Sequence, residues 1–208
     1  MGDKSSVQQH RGKLRVRIRF LMAQVRHLRR QVRQANALLE QRESIIKELK
    51  ARAQYDELTG LHRRWVFQQN TEAILEGLNA RPGSDPLAES TCLLLFDIKK
   101  FKQINEGAGG MAEGDRAIQA VAEALRRVFT RIGDIYCRFG GDEFAALVRG
   151  TTPEKVTEIV RETNVVLGKL YPRLVLRGAF VFYRPGMNFD DLYREVGIEM
   201  ARIKRNER

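Results

Sequence analysis

Three carboxylates stand at the ends of apolar segments in this 208-residue chain. Asp97 is the penultimate residue of the apolar run 92–98, and Asp142 and Glu143 lie at the turn of a predicted hairpin. If the hairpin lies beside that run, the three side chains converge at one sheet edge, where their repulsion is tolerable only with a cation between them. Such hard oxygen ligands suit Mg²⁺ held jointly with substrate phosphates. The alternative is a surface hairpin with solvated acids.

A lysine and two glycines accompany these acids in a way that suits phosphate binding. Lys102 lies about one helical turn beyond Asp97, where its ammonium group can meet phosphate oxygens. Gly140 and Gly141 directly precede the acidic pair, and glycine lets a ligand approach the backbone closely. The pattern therefore indicates chemistry on a phosphorylated substrate.

Strands and helices that alternate along the chain must position these residues. Apolar runs predict buried strands, three- and four-residue spacings predict amphipathic helices, and glycine and proline mark turns. The predicted elements are a helix over 63–78, a strand over 92–98, a flexible loop through Gly107, Gly109, Gly110 and Gly114, a helix over 115–130, hairpin strands over 135–139 and 144–148, a helix opened by a capping box at Thr151 to Glu154 and ending near Leu170, a strand over 174–183, and a last helix capped by Asn188. The mixture predicts one α+β domain of about 150 residues.

The N-terminal quarter of the chain has a different pattern, a seven-residue apolar repeat. The repeat positions are Leu14, Ile18, Leu21, Val25, Leu28, Val32, Ala35, Leu39, Arg42, Ile46, Leu49 and Ala53, and only Arg42 interrupts them. Such a repeat predicts a coiled coil, and β-branched residues alternating with leucine favour a parallel dimer. The rod would be about 60 Å long. The alternative is a solvated helix that packs on its own domain.

The positive charge is concentrated in the same segment. The chain has 37 basic and 26 acidic residues, and residues 1–33 contain ten of the former and one of the latter. We expect an acidic protein partner along this stalk rather than nucleic acid, because the arginines are interleaved with the heptads instead of preceding them. A membrane surface and a merely solvated face remain alternatives.

Other classes of protein are disfavoured by what the sequence lacks. The longest strongly apolar run, 92–96, is far too short to span a bilayer, and no secretory cleavage site follows an apolar core. Cys92 and Cys137 lie in apolar stretches without a second pair or a histidine cluster, so no disulfide framework or zinc site is indicated. These features predict a cytoplasmic protein.

Four motifs in order resemble the GGDEF family of diguanylate cyclases. The segment 138–144 reads RFGGDEF, 56–61 reads DELTGL, 96–105 reads FDIKKFKQIN, and Gly114–Asp115 matches a later GD pair. The resemblance implies a GGDEF (nucleotidyl-cyclase-like) domain over 56–208, with a mixed, largely antiparallel central sheet flanked by helices. It follows a basic coiled-coil stalk over 1–55.

The resemblance also implies a reaction, in which two GTP are condensed to cyclic di-GMP and two pyrophosphates are released. Two domains, each holding one GTP, are expected to meet antiparallel, and the cofactor is expected to be Mg²⁺ or Mn²⁺. The implied metal ligands are Asp97, Glu143, the Ile98 carbonyl and Asp142, which alternatively deprotonates the 3′-hydroxyl. The implied substrate-binding residues are Lys102 for phosphate, Asn105 and Asp115 for guanine, and Phe101, Gly140 and Gly141 beside the nucleotide.

A product-binding inhibitory site is implied by Arg131 and Asp134, which form the family's RxxD motif, with five residues between Asp134 and Gly140. Arginine donates to a guanine edge and aspartate accepts from its N1 and N2 groups. Arg161 is a candidate further contact. We expect the stalk to regulate activity through a homodimer, a higher oligomer or a protein partner. The rival functions are a non-catalytic receptor for cyclic di-GMP or GTP and a stalk-based scaffold.

The chain departs from the family pattern at several positions. Lys99 replaces the second aspartate of FDID, and the loop from Asn105 to Asp115 is one residue longer than usual, with changed residues at Glu106, Ala108 and Gly110. Arg177 and Gly178 stand where a serine and a glycine are usual. The C-terminal AKxxGRN motif is altered, so either Arg202 or Lys204 could take the place of its phosphate-binding lysine.

Overall fold

The computed structural model describes residues 4–207, with side chains from residue 17 onward except those at 18, 20, 23, 48 and 50–52. The chain divides into two compact units, with the boundary between Arg52 and Ala53.

The first unit is one helix, α1 (Lys4–Arg52), of 49 residues. Its described heptad leucines, valines and isoleucines are between 45% and 60% exposed. An apolar stripe this exposed on a single helix is what an intermolecular coiled coil requires. Leu14 and Ile18, which begin the repeat, lie outside the described side chains. Along the described part of the chain, no helix combines the length and the apolar composition needed to cross a bilayer.

The second unit is built on a five-stranded mixed sheet. The strands are β1 (His62–Arg63), β2 (Cys92–Ile98), β3 (Ile135–Gly140), β4 (Glu143–Val148) and β5 (Leu176–Phe182), in the order β1-β3-β4-β2-β5. The β1–β3 pair is parallel and the other pairs are antiparallel. All seven residues of β2 are buried, as expected of a central strand covered on both faces. The predicted α+β class and mixed sheet are confirmed.

Helices cover both faces of the sheet. They are α2 (Arg64–Ala80), α3 (Phe101–Asn105), α4 (Gly110–Val128), α5 (Pro153–Leu170) and α6 (Phe189–Asn206). Even-numbered residues of β2 and β4 pack with α4 and α5, whereas odd-numbered ones pack with α2 and α6. Successive side chains of a strand point to opposite faces, so Asp97 and Glu143 both belong to the α6 side.

Three local predictions differ from the structure. A short helix, α3, ends just before the predicted flexible glycine loop, and α4 begins at Gly110, five residues earlier than expected, so Gly110 and Gly114 of that loop are helical. Glu143 is the first residue of β4 rather than part of the turn. The cap of α5 is Thr152, whose side chain accepts from the Lys155 N–H at 3.4 Å, and Pro153 follows it, so the predicted box at Thr151 was displaced by one residue. Asn188 caps α6, as predicted, and the structure shows that it does so in a reciprocal capping box with Asp191.

Candidate functional site

Asp97 lies in the middle of a row of charged residues that crosses the sheet. In the antiparallel registers, Asp97 pairs with Glu143 of β4 on one side and with Arg177 of β5 on the other. Directly opposed residues project from the same face of a sheet, so all three side chains emerge toward α6. The two carboxylates that the sequence predicts together are therefore neighbours, and an unpredicted guanidinium joins them.

The carboxylate of Asp97 is almost fully buried and is bound by two cations. Asp97 is only 5% exposed. Arg177 Nη1 donates to Asp97 Oδ2 at 2.9 Å, and Lys204 Nζ donates to Oδ1. A buried carboxylate needs such compensation, because its desolvation is otherwise very costly. Of the two candidates in the altered C-terminal motif, Lys204 thus reaches the site, whereas Arg202 is exposed and pairs with Glu199.

Arg177 is anchored at a second point by the C-terminal residues. Its Nε donates to Glu207 Oε2 at 2.7 Å, and Lys99 Nζ lies 3.1 Å from the same oxygen. Lys99, the departure from FDID, therefore belongs to an ion network that surrounds Asp97. The network consists of Asp97, Lys99, Arg177, Lys204 and Glu207.

Asp142 occupies the hairpin turn beside this network. Its carbonyl accepts from the Ile98 N–H at 3.4 Å, which holds the turn against the end of β2. Burial raises the pKa of the Asp142 carboxyl and the negative charge of Asp97 raises it further, against the lowering effects of a hydrogen bond from its own backbone N–H and of the charges of Lys204 and Arg138. A carboxylate with a raised pKa is a better proton acceptor than an ordinary surface aspartate.

The donor set fits a divalent cation that is completed by substrate. Asp97 and Glu143 are cross-strand neighbours at the end of β2, next to Ile98 and Asp142, and their carboxylates are hard oxygen donors. Among the side chains that the structure describes, no three from His, Cys, Asp or Glu lie close enough together to form a metal-binding group by themselves. Mg²⁺ is typically bound by one or two carboxylates together with substrate phosphates, and the pair meets that requirement.

The glycines of the RFGGDEF segment leave space beside the acids. A Cβ atom built on Gly140 or Gly141 would meet no atom within 4 Å, so both face open space. Gly141 has a φ of +50°, a conformation that favours glycine. Arg138 fixes the loop by donating from Nε and Nη2 to the Gly141 carbonyl at 3.0 and 2.8 Å.

A cleft of about 550 Å³ opens at the same loop. Its lining includes Asp56, Trp65, Arg138, Gly140 and Gly141. Asp56 of the DELTGL segment accepts from the Thr59 N–H at 2.9 Å and from Arg138 Nη1 at 3.1 Å. The sequence did not assign a role to Arg138 or Asp56, although both belong to quoted motifs.

The residues expected at the guanine base are grouped by close packing of α3 on α4. A Cβ on Gly114 would lie 1.9 Å from Asn105 Oδ1 and 3.3 Å from the Phe101 ring, so only glycine permits this contact. Asp115 follows Gly114 and is exposed. Lys102 lies apart from Asp97 in this conformation: its side chain is 84% exposed and its Nζ is 3.6 Å from Glu106.

The RxxD residues are brought together at the end of β4. Arg131 Nη2 donates to the Arg149 carbonyl at 3.1 Å, and Asp134 Oδ1 accepts from the Arg149 N–H at 3.4 Å. Burial raises the pKa of the Asp134 carboxyl. Ile132 between them is fully exposed, and Arg161 pairs with Glu158 on α5.

Arg177 is the main site residue that sequence reasoning missed. It was noted only as a departure from a serine, and nothing local in the sequence places it beside Asp97, 80 residues away. The available signal was the strand register, because a charged residue inside the predicted strand 174–183 must face a partner across the sheet.

Comparisons with known proteins agree with the motifs. A family model described as "Diguanylate cyclase, GGDEF domain" matches residues 53–208. Diguanylate cyclase DgcM of Escherichia coli K12 is 28% identical over 169 residues, which cover 78% of this chain and 38% of DgcM. Cyclic di-GMP phosphodiesterase NbdA of Pseudomonas aeruginosa is 27% identical over 176 residues, which cover 81% of this chain and 22% of NbdA. The matched segments are thus well under half of these relatives.

Two solved structures share the fold. The coiled coil and GGDEF domain of DgcB from Caulobacter crescentus, in complex with c-di-GMP, matches with a TM-score of 0.67 and 21% identity over 87% of this chain and 96% of that one. Diguanylate cyclase SiaD from Pseudomonas aeruginosa, in complex with its activator SiaC, matches with a TM-score of 0.64 and 21% identity over 97% of this chain and 76% of that one.

Proposed function

Because the chain belongs to the GGDEF family, whose model covers residues 53–208, we propose that it is a diguanylate cyclase. In the proposed reaction, the 3′-hydroxyl of each of two GTP molecules attacks the α-phosphate of the other. Two phosphodiester bonds form, two pyrophosphates leave and cyclic di-GMP results. The observation that carries the proposal is the cross-strand pair of Asp97 and Glu143 beside the open loop of Gly140 and Gly141.

The acidic residues of the site divide the chemical work. Asp97 and Glu143, with the Ile98 carbonyl, would hold Mg²⁺ or Mn²⁺, and Asp142 would accept the proton of the 3′-hydroxyl or join the metal ligands. When bound, the metal ion supplies charge neutralisation on the triphosphate. The ammonium group of Lys204 would turn from Asp97 to the phosphates. The ammonium group of Lys102 would likewise leave Glu106 and bind phosphate.

The remaining residues would fix the nucleotide. Asn105 and Asp115 are proposed to hydrogen-bond guanine beside Phe101, and the close contact of Asn105 with Gly114 supports a defined position for that amide. Positioning of this kind supplies much of the catalysis in phosphoryl transfer.

The reaction needs two domains, which we propose are supplied by a homodimer through α1. Each domain would bind one GTP, and the active site would form between the two. The exposed heptad stripe of α1 supports a parallel coiled coil, which raises the local concentration of one domain near the other. Such a dimer is expected in the cytoplasm, where GTP is available.

Two kinds of regulation belong to the proposal. Product would bind at Arg131 and Asp134, whose shared attachment to Arg149 supports a preformed site. An acidic protein, or further self-assembly, would bind the basic stalk. The solved complex of SiaD with its activator SiaC supports the idea that a protein of this fold is controlled by a partner.

One rival function has a specific observation in its favour. Both carboxylate oxygens of Asp97 are already bound by cations, which would suit a receptor that binds nucleotide without catalysis. Incubation of the full chain with GTP and Mg²⁺ separates the two functions. Pyrophosphate release that disappears in Asp142→Ala supports the cyclase, and its absence at every protein concentration, with retained cyclic di-GMP binding, supports the receptor.

A further inference from the structure

We propose that Arg177 is a positioning residue that occupies the metal-binding carboxylate and keeps it from binding a divalent cation until a triphosphate is present. The inference rests on the proposed function only in taking Asp97 as a metal ligand. It predicts that metal binds this chain weakly by itself, because the arginine must first leave Asp97.

Arg177 belongs to a row of charged residues that crosses the sheet. Asp97 has Glu143 as its cross-strand neighbour on one side and Arg177 on the other. The row is thus acidic, acidic and basic, with the buried Asp97 carboxylate at its centre. The basic member lies at hydrogen-bond distance, 2.9 Å from Asp97 Oδ2.

Each carboxylate oxygen of Asp97 is bound by a cationic side chain. Lys204 binds Oδ1, so the carboxylate carries one ammonium and one guanidinium partner. A divalent cation on the same carboxylate would lie a few ångströms from both, and like charges repel strongly at such distances in a site shielded from water. At least one partner must therefore move before the metal can bind.

The guanidinium of Arg177 is held at two points, one of which can be released while the other stays bound. Nη1 binds Asp97, whereas Nε binds Glu207, which also pairs with Lys99. The Glu207 contact can retain the arginine near the site while Nη1 turns to a phosphate oxygen. Guanidinium groups donate to phosphate as readily as to carboxylate, so the polyphosphate offers the displaced donor a new acceptor.

The exchange of Asp97 for a phosphate oxygen as the acceptor of Arg177 couples the binding of the divalent cation to the binding of the triphosphate. Metal alone breaks a cation contact of Asp97 without replacing it, whereas metal with triphosphate offers Arg177 a phosphate acceptor in exchange. Binding of either ligand therefore favours the other, as linkage requires. Until the exchange occurs, Arg177 and Lys204 together compensate the charge of the buried Asp97 carboxylate, which faces Glu143 across the strands.

The test measures binding of Mn²⁺ alone to the full chain by electron paramagnetic resonance, with no nucleotide present. Arg177→Gln should bind Mn²⁺ more tightly than the wild type, by about tenfold or more for the removal of one nearby positive charge. Arg194→Gln is the matched control, since Arg194 lies on the same helix as Lys204 and pairs with Asp191 at the surface. Its Mn²⁺ affinity should equal that of the wild type.

Two further variants decide how an increase in Mn²⁺ affinity is interpreted. The increase should disappear in Arg177→Gln/Asp97→Asn, because Arg177 acts on the metal through the Asp97 carboxylate. Lys204→Gln removes the other cation and should also tighten Mn²⁺ binding, which keeps the test available if Arg177→Gln does not fold, as judged by circular dichroism. Unchanged or weaker Mn²⁺ binding in a folded Arg177→Gln, or in folded Lys204→Gln where the first variant does not fold, overturns the proposal. So does a gain that survives Asp97→Asn.

The readout is independent of turnover. A chain that binds nucleotide but makes no cyclic di-GMP would still show the Mn²⁺ difference. An active cyclase without that difference would refute the role of Arg177 and leave the proposed reaction standing.

Discussion

Arg138 and Asp56, which are 82 positions apart, are joined by a bifurcated hydrogen bond in which Arg138 Nη1 lies 3.1 and 3.2 Å from the two carboxylate oxygens of Asp56. The same guanidinium holds the Gly141 carbonyl through its other two nitrogens. The start of the second unit is therefore tied to the loop that carries the acidic pair. Both side chains are largely shielded from water, at 16% and 19% exposed, so the contact is more than a surface ion pair.

Replacement of Asp56 should destabilise the chain. Asp56→Asn removes the charge that Arg138 and Thr59 compensate, and we expect the free energy of unfolding to fall by about 1–3 kcal/mol. Urea denaturation of the full chain measures it. Glu57→Gln is the control, because the neighbouring Glu57 is 95% exposed and should have little effect. Equal losses in the two variants would contradict this account.

The same variant should change how stability depends on acid. Burial by itself raises the pKa of Asp56, but the hydrogen bonds from Thr59 and Arg138 and the charge of Arg138 outweigh it, so the pKa is lowered. The stabilisation is then present above the unfolded-state pKa of about 3.9 and is lost as pH falls through the lower folded value. Asp56→Asn should flatten the wild-type loss of stability below about pH 4, measured by unfolding midpoints across pH.

Replacement of Asp142 should separate stability from activity. Burial and the charge of Asp97 raise the pKa of this carboxyl, so the ionised form costs stability at neutral pH. Asp142→Asn should raise the urea midpoint at pH 7, and the difference should shrink as pH falls through the raised pKa. Pyrophosphate release should drop by about 100-fold or more. Glu76→Gln, on the exposed face of α2, is the control and should alter neither quantity.

An added methyl group at Gly114 should weaken nucleotide binding. The Cβ atom would lie 1.9 Å from Asn105 Oδ1 and must displace that amide. We expect the KM for GTP to rise by about tenfold, the worth of one hydrogen bond, in steady-state assays. Gly77→Ala is the matched control, since a Cβ there meets nothing within 4 Å. Full retention of GTP binding by folded Gly114→Ala would show that Asn105 is not needed in this position.

Much of this site could be predicted from the sequence, because its acidic residues lie at the ends of apolar runs. Asp97 is the penultimate residue of one apolar strand and Glu143 begins another, so their proximity needs only the pairing of these two strands. The position of Arg177 could not be obtained in this way, because it depends on the register of a strand formed about 80 residues later. The early start of α4 was missed because glycine reads as a loop former, whereas Gly114 serves close packing against Asn105.

Charges placed in the stripe of α1 should prevent dimerisation. Leu28 and Val32 are each 57% exposed on the single helix and lie on the heptad positions. Leu28→Glu/Val32→Glu should convert a dimer to a monomer at about 10 µM in sedimentation velocity, since burying the acids is costly. Gln31→Glu/Gln34→Glu adds the same charge off the stripe and should leave the dimer intact. A monomeric wild type would refute a coiled-coil dimer.

The central claim is tested most directly by the stoichiometry of the reaction. Full-length protein with GTP and Mg²⁺ is sampled over time, and nucleotides and pyrophosphate are quantified by chromatography and a coupled assay. The account predicts two pyrophosphates for each cyclic di-GMP, with a rate per chain that falls on dilution below the dimer range and is abolished in Glu143→Gln. Nucleotide binding without any pyrophosphate or cyclic product, at every protein concentration and with either Mg²⁺ or Mn²⁺, would contradict it.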